Sequence, residues 1–193
     1  MDTTLLLKEL QALHDFPEKH FPQLLGLFEV HKIKKGEIIF QSGDIVKHIH
    51  FVIEGCLRQY YVNPHGAERI LFFAEEGWWA GEMESFINNI PTTLNMQALE
   101  DCQTLMINRE NWEHATRNIP DYALYQIKKR GQTVAWFKGQ LAESTTSTPD
   151  EKYRKLVNEN ATLLQRLPQY YIANFLGVTP ETLSRIRKRN TKL

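Results

Sequence analysis

Short β-rich runs separated by glycine-containing turns lie between residues 28 and 108, and they restrict the possible folds of this chain most. The runs are Glu37–Phe40, Ile49–Ile53, Leu57–Val62, Arg69–Phe73 and Thr104–Ile107. Turn sequences such as Ser42-Gly43-Asp44 and Asn63-Pro64-His65-Gly66 separate them. Many short strands at regular spacing, without long helical crossovers, predict an antiparallel sandwich or roll.

Helical patterns flank this β-rich region on both sides. Leucines near helical spacing predict an opening helix over residues 2–14. A second, longer helix is predicted over about 120–143. Beyond it, the polar segment 144–149 is interpreted as a hinge, and Pro149 is suited to begin the next helix. The remaining residues, 150–193, are predicted to be helical.

The long predicted helix carries an apolar seam with a seven-residue repeat. Ile127, Val134 and Leu141 form the repeat, with Leu124 and Phe137 beside it. A heptad seam is typical of helices that pair with a second chain. This seam covers only two to three heptads, so packing on the chain's own β-rich domain is the alternative. Of the two, we favour pairing.

The stretch from Gln169 to Lys188, QYYIANFLGVTPETLSRIRK, has the pattern of a helix-turn-helix. Ala173 lies where two helices approach closely, and Gly177 lies at the turn, where glycine adopts a positive φ angle most easily. Thr179 can cap the second helix, and Pro180 suits its first turn. The positions that pack the two helices together are apolar: Ile172, Leu176, Val178, Leu183 and Ile186.

The same pattern leaves polar side chains on the outer face of the second helix. The predicted DNA-binding residues are Thr179, Glu181, Thr182, Ser184, Arg185 and Lys188. In a major groove, Arg185 could bond a guanine through two hydrogen bonds, and Glu181 could accept from a cytosine amino group. A second basic set is expected to contact phosphates: Arg187, Lys188, Arg189 and Lys192.

The distribution of charge supports this interpretation, although the net charge is zero. Residues 150–193 carry nine Lys/Arg against four Asp/Glu, a balance of +5, whereas residues 1–149 carry fourteen against nineteen, a balance of −5. A basic end on an acidic body predicts a polyanionic partner for the carboxy-terminal part alone.

Composition predicts a cytoplasmic protein that has no membrane partner. No apolar run approaches the roughly 20 residues that a transmembrane helix needs, and the first residues lack the features of a secretory signal. The two cysteines, Cys56 and Cys102, fit neither a disulfide framework nor a metal or iron–sulfur spacing. We expect both to be buried free thiols.

Residues of about 20–188 resemble the Crp/Fnr family of transcription regulators. The matching segments are Lys35-Gly36-Glu37, Ser42-Gly43-Asp44, Phe51–Gly55, Gly77–Glu82 and Ile172–Arg187. The resemblance implies a β-roll of the cyclic-nucleotide-binding type, a long dimerisation helix and a DNA-binding domain whose position that helix controls. It also implies an effector site, which we place at Gly81, Glu82, Thr92 and Thr93.

Two departures from the family's pattern affect these expectations. Members that bind cyclic AMP have an arginine ten residues after the glutamate of the Gly-Glu pair, and Thr92 occupies that position here. A buried phosphate without a cationic partner is costly, so we expect cyclic AMP binding to be weak or absent. Arg58 or Arg69 could reach such a site, although we expect an exposed strand position for each. In addition, seven residues after Ile186 are too few for the family's β-hairpin wing, which predicts a shortened, wingless domain.

Two alternative functions remain open on the sequence. Gly43, His48, His50 and Glu54 nearly reproduce the first metal motif of a cupin, although Arg69 stands where a further histidine ligand is expected. We favour His50 as an ordinary surface or packing residue. The other alternative keeps the fold but lacks DNA binding, as a protein-interaction relative.

The sequence therefore predicts an α+β protein that is not an enzyme. Its expected parts are an antiparallel β-roll (a double-stranded β-helix) with an N-terminal helix over 1–118, a dimerisation helix over 119–145 and an all-α helix-turn-helix domain over 146–193. The predicted partners are double-stranded DNA, a second copy of the chain and RNA polymerase. The sequence assigns no cofactor or metal, and the effector is an unidentified small molecule.

Overall fold

A computed structural model describes residues 3–190 of the chain. These residues form two compact units that each combine separate stretches of sequence. The first contains the described residues up to Gln59 together with Phe73–Val134, and the second contains Tyr60–Phe72 together with the described residues from Ala135 onward.

The β-rich region forms two four-stranded sheets, as the short strands predict. The strands are β1 Glu29–Ile33, β2 Ile38–Phe40, β3 His48–Glu54, β4 Leu57–Val62, β5 Glu68–Ala74, β6 Trp79–Ala80, β7 Asn95–Ala98 and β8 Cys102–Asn108. Their order is β1-β8-β3-β6 in one sheet and β2-β7-β4-β5 in the other. The registers of β1 and β3 with β8 and of β2 with β7 are antiparallel, which confirms the predicted antiparallel architecture.

At Gly55 the chain passes so close to β8 that a side chain would not fit. Gly55 follows β3 with φ at +94°, and a Cβ atom there would lie 2.6 Å from the Cys102 Sγ in β8. Glycine is needed at this turn for both reasons. Cys56 and Cys102 are buried free thiols, as predicted, and burial raises the pKa of Cys102 to about 11.

Helices accompany the strands in the first unit. They are α1 Thr4–Leu13, α2 Phe21–Leu25, α3 Met83–Asn88, α4 Arg109–Asn118 and the start of α5 Pro120–Thr146, with a short 3₁₀ helix at Glu18–His20. The amino-terminal helix meets α5 through Glu9, whose Oε1 accepts hydrogen bonds from the Tyr125 hydroxyl and the Lys129 Nζ. Two histidines, His14 and His20, contact the carboxylate of Asp121 in the first turn of α5.

Three helices form most of the second unit: α6 Pro149–Arg166, α7 Gln169–Leu176 and α8 Pro180–Asn190. Thr148 and Glu151 make a capping box at the start of α6, with Pro149 in its first turn, as the sequence predicts. The core of this bundle is formed by Leu156, Leu163, Leu167, Ile172, Ala173, Leu176, Leu183 and Ile186.

The structure also corrects several expectations about secondary structure. The predicted strands are all present within one or two residues of their expected ends, but β1, β6, β7, α2, α3 and α4 were not predicted. The expected hinge over 144–149 was wrong in its first half, because α5 continues to Thr146. The hydroxyls of Ser144, Thr145 and Thr146 donate to carbonyls of the preceding helical turn, which is compatible with helix.

Candidate functional site

The helix-turn-helix forms in α7 and α8, with Gly177 between them. Gly177 directly follows the first helix as its C-cap and adopts φ +71°, and its N–H donates to the Asn174 carbonyl. Thr179 caps α8, since its Oγ1 accepts a hydrogen bond from the backbone N–H of Thr182. Ala173 and Leu183 are buried between the helices. The predicted local geometry of the motif is confirmed.

Polar side chains follow one another along the outer face of α8. The Thr179 Oγ1 lies 3.3 Å from the Thr182 Oγ1, and the Arg185 Nη2 donates to that same Thr182 oxygen at 3.1 Å. An interaction with the Thr179 hydroxyl lowers the pKa of Glu181. Five of the six predicted DNA-binding residues are exposed, and Thr182 is half-buried. This face therefore offers guanidinium, carboxylate and hydroxyl groups to solvent.

The basic residues at the end of α8 do not all share one environment. Lys188 is exposed. Arg189 forms an ion pair with Asp150 in α6, with 2.6 Å between Nη2 and Oδ2. Arg189 therefore also ties α8 to the start of α6. The expected phosphate contact at Lys192 lies outside the described residues.

In the predicted effector segment, the carboxylate of Glu82 is already engaged. Its Oε1 accepts from the Glu84 N–H and its Oε2 accepts from the Ser85 N–H, both at 2.8 Å, so that Glu82 caps helix α3. Gly81 precedes it with φ at +151°. A carboxylate oxygen has two lone pairs, so each Glu82 oxygen keeps one for a ligand hydroxyl.

The two threonines of the effector segment differ in environment. Thr92 is buried, its backbone pairs with Gly43 and Asp44, and its hydroxyl accepts from the Leu94 N–H at 3.1 Å. Thr93 is exposed. The structure therefore gives Thr92 an internal structural role, and sequence reasoning alone did not distinguish it from its neighbour.

The arginines that could pair with the negative charge of a ligand lie in different environments. Arg69 is exposed, as expected. The expectation that Arg58 is exposed was wrong: its side chain is 4% exposed and its Nε donates to the Gln97 Oε1 at 3.0 Å. A cation that the sequence analysis missed is Arg109, whose Nη2 donates to the Asn89 Oδ1 just after α3. Only the three-dimensional structure brings Arg109 to that helix, because the two residues are 20 positions apart.

The tryptophan pair divides between solvent and core. Trp78 is partly exposed, whereas Trp79 packs on Phe51 with ring centroids 5.1 Å apart. The Trp79 Nε1 donates to the Tyr125 hydroxyl at 2.7 Å, and that hydroxyl donates to Glu9. Burial, followed by the Glu9 carboxylate, raises the pKa of Tyr125. Trp79 thus connects the β-roll to α5 through a hydrogen-bonded chain.

The histidines of the cupin-like motif pack together. His50 is 2% exposed, its Nδ1 lies 3.1 Å from the Thr104 Oγ1, and its ring centroid lies 5.7 Å from that of His31. Burial lowers the pKa of His50 to about 3, which keeps the ring neutral. Within residues 3–190, no group of three or more His, Cys, Asp or Glu is arranged to hold a metal ion. His50 therefore has the packing role that the sequence analysis favoured.

The heptad seam of α5 is largely uncovered. Ile127 is 67% exposed and Leu141 is 70% exposed. The other three seam residues, Leu124, Val134 and Phe137, are also exposed. A continuous exposed apolar stripe is typical of a surface that binds another chain. Between residues 3 and 190, no helix is both long and apolar enough to cross a bilayer.

Comparisons with known proteins agree with this geometry. Residues 30–118 match the cyclic nucleotide-binding domain. The chain is 31% identical over 131 residues to the patatin-like phospholipase domain-containing protein 6 of Mus musculus, covering 67% of this chain but only 10% of that protein. It is 24% identical over 189 residues to the fumarate and nitrate reduction regulatory protein of Yersinia pestis, covering 91% of this chain and 74% of that protein.

A solved structure extends the agreement to the fold. FixK2 from Bradyrhizobium japonicum matches with a TM-score of 0.73 at 17% identity, over 86% of this chain and 85% of that one. The fold and the matched domain define a protein with a cyclic-nucleotide-binding-type β-roll followed by a helix-turn-helix. The match to the fumarate and nitrate reduction regulator runs through both parts in order, so the chain is similar to the Crp/Fnr family of transcription regulators in its β-roll and in its helix-turn-helix.

Proposed function

We propose that this chain is a homodimeric DNA-binding transcription regulator that responds to an effector through its β-roll and acts in the cytoplasm. One observation carries the proposal: the outer face of α8 presents Arg185, Glu181 and Ser184 to solvent beside a buried helix–helix core. A helix inserted into a major groove needs this combination of polar exposed groups and a rigid support.

The residues of α8 take different roles in this proposal. Arg185, Glu181 and Thr182 read base edges, and Thr179, Ser184 and Lys188 complete the contact to bases and phosphates. The hydrogen bond from Arg185 to Thr182 holds the guanidinium along the helix face before DNA arrives. Dimerisation uses the exposed seam of α5 and sets the two recognition helices about 34 Å apart, the distance between successive major grooves.

The effector site in this proposal is formed by Gly81, Glu82, Thr92 and Thr93. Glu82 and Thr92 already bond to the protein's own backbone, and Thr92 stands where Crp/Fnr members that bind cyclic AMP have an arginine. A cyclic phosphate would therefore lack a cationic partner at this position. We infer that the effector is not cyclic AMP held in the usual way. RNA polymerase is the further partner that activation of transcription would require.

The experiment that tests the proposal is selection of bound DNA from a random duplex library, followed by a titration of salt. A regulator of this kind recovers a two-fold symmetric sequence and loses affinity steeply as salt rises, because its phosphate contacts release counterions. Recovery of no preferred sequence, or an affinity that does not depend on salt, would favour the non-DNA-binding relative. Stoichiometric transition metal in the purified protein would favour the cupin-like enzyme.

A further inference from the structure

The second compact unit joins the helix-turn-helix to a segment far away in the sequence. Residues Tyr60–Phe72, the tip of the β4–β5 hairpin, belong to the same unit as α6, α7 and α8. Within this unit the side chain of Asn174, in α7, contacts the backbone of β5. The Ile70 N–H donates to the Asn174 Oδ1 at 2.8 Å, and the Asn174 Nδ2 donates to the Glu68 carbonyl at 2.9 Å.

The chemistry of this contact follows from the position of β5. It is the last strand in the order β2-β7-β4-β5, so one side of its backbone has no neighbouring strand in that sheet. A strand edge presents N–H and C=O groups that require partners. The asparagine side chain offers one donor group and one acceptor, as a peptide unit does. Asn174 therefore binds the edge of β5 as a short piece of strand would.

A second contact involves the same hairpin and α5. The Phe72 ring packs edge-on against Trp136 and Phe137, with centroid distances of 6.3 and 6.4 Å. The hairpin tip thus contacts both the second half of α5 and the first helix of the helix-turn-helix. Hydrogen bonds from a planar amide are directional, so this arrangement restrains the orientation of α7 more than apolar packing would.

We propose that Asn174 docks the helix-turn-helix on the free edge of β5 and thereby fixes the spacing at which the two recognition helices of a dimer meet DNA. The inference rests on the proposed function and adds a positioning residue to it. Asn174 lies on a helix face other than the one packed on α8, where Ile172, Ala173 and Leu176 are buried. Its loss therefore changes orientation and leaves the reading face of α8 intact.

The test compares full and half sites of the palindrome recovered from a random duplex library. For Asn174→Ala, we expect affinity for the full site to fall roughly tenfold, as two half-buried hydrogen bonds are lost. Affinity for an isolated half site stays unchanged. On full sites lengthened or shortened by one or two base pairs at the centre, the wild-type chain loses affinity sharply, and the variant loses much less.

Two further variants make the result specific. Asn174→Asp keeps the acceptor for the Ile70 N–H but loses the donor to Glu68, so it is expected to fall between wild type and Asn174→Ala. Asn158→Ala changes an exposed asparagine of α6 and serves as the matched control with wild-type behaviour. Far-UV circular dichroism and thermal melting verify that each variant is folded.

Three outcomes overturn the inference. One is equal weakening on full and half sites, which would mean that Asn174 supports the helix-turn-helix internally. The second is unchanged spacing tolerance in Asn174→Ala. The third is tighter binding, which would mean that the contact restrains an inactive arrangement.

Failure of the proposed function itself is distinguishable. If the wild-type chain selects no DNA, both the regulatory function and the role of Asn174 in spacing are lost. Amide hydrogen exchange at Ile70 separately reports the docking contact: the Ile70 N–H is expected to be protected in wild type and to exchange faster in Asn174→Ala. Equal exchange in both would overturn the contact as well.

Discussion

The two regions with predicted functional residues use their polar groups in opposite ways. On α8, Glu181, Ser184 and Arg185 are exposed, and the Arg185 hydrogen bond is made within the helix. In the effector segment, Glu82 caps α3 and Thr92 bonds to Leu94, so the same kinds of groups hold the local backbone. An exposed polar face can be read by a partner directly, whereas engaged groups must exchange partners when a ligand binds.

The two regions also differ in how local the contacts are on which they depend. The proposed DNA-reading face needs only its helix pair and its small core, and the sequence specifies both. The predicted effector segment depends on contacts between residues far apart in the sequence, such as those of Thr92 with Gly43 and Asp44.

The largest effect is expected from Leu183→Ala. Leu183 is fully buried between the two helices of the motif, and truncation of such a leucine costs about 2–5 kcal/mol. The helix-turn-helix should unfold at lower denaturant concentration while the β-roll keeps its stability. Amide hydrogen exchange in α7 and α8, compared with exchange in β3 and β8 of the first unit, measures the difference. Equal loss of protection in all four elements would contradict a destabilisation confined to the helix-turn-helix.

The next prediction concerns pH and the β-roll. Burial lowers the pKa of His50 to about 3, whereas an unfolded histidine titrates near 6.5, so only the unfolded chain gains this proton in between. The free energy of unfolding should therefore fall by about 1.4 kcal/mol per pH unit below about pH 6.5 from this group alone. Urea unfolding at several pH values measures the slope. The His50→Gln variant lacks this titrating group. If its slope equals that of the wild type, His50 is not the cause of the pH dependence.

Arg185→Ala tests the reading face. Loss of a bidentate base contact is expected to cost roughly 1–3 kcal/mol in affinity and to relax the preference at one base position of each half site. Lys188→Ala is the comparison, since loss of a phosphate contact weakens all sequences alike and reduces the salt dependence. Binding measured on a panel of single-base variants separates the two. A uniform loss in Arg185→Ala would remove its reading role.

The smallest effect is expected from Glu82→Ala. Loss of this cap should lower the free energy of unfolding by about 1 kcal/mol through helix α3. Because Thr92 replaces the expected arginine, neither wild type nor the variant should show binding of cyclic AMP in calorimetry at micromolar concentrations. If the wild type binds cyclic AMP tightly and Glu82→Ala abolishes that binding, the main role of Glu82 is to bind the ligand and not to cap α3.

How far the sequence predicts this molecule depends on the range of the interactions involved. The helix-turn-helix was predictable almost residue by residue, because Ala173, Gly177 and Thr179 act through neighbours within a few positions. The main strands were predictable from alternation and turns. The two-residue strand β6 and the short helix α3 were not, because β6 is paired by the distant strand β3 and α3 lies in a segment without clear periodicity.

The sequence by itself determined the order of the parts, the exposed face of α8 and the heptad seam of α5, since each is encoded by local periodicity and turn chemistry. Only the tertiary structure decided that Arg58 is buried, that Thr92 is buried against Gly43 and Asp44, and that Asn174 binds the edge of β5. Those three facts depend on partners 39, 48–49 and 104–106 positions away in the sequence. The sequence immediately around a residue does not predict such partners, because long-range contacts are determined by the packing of the whole chain.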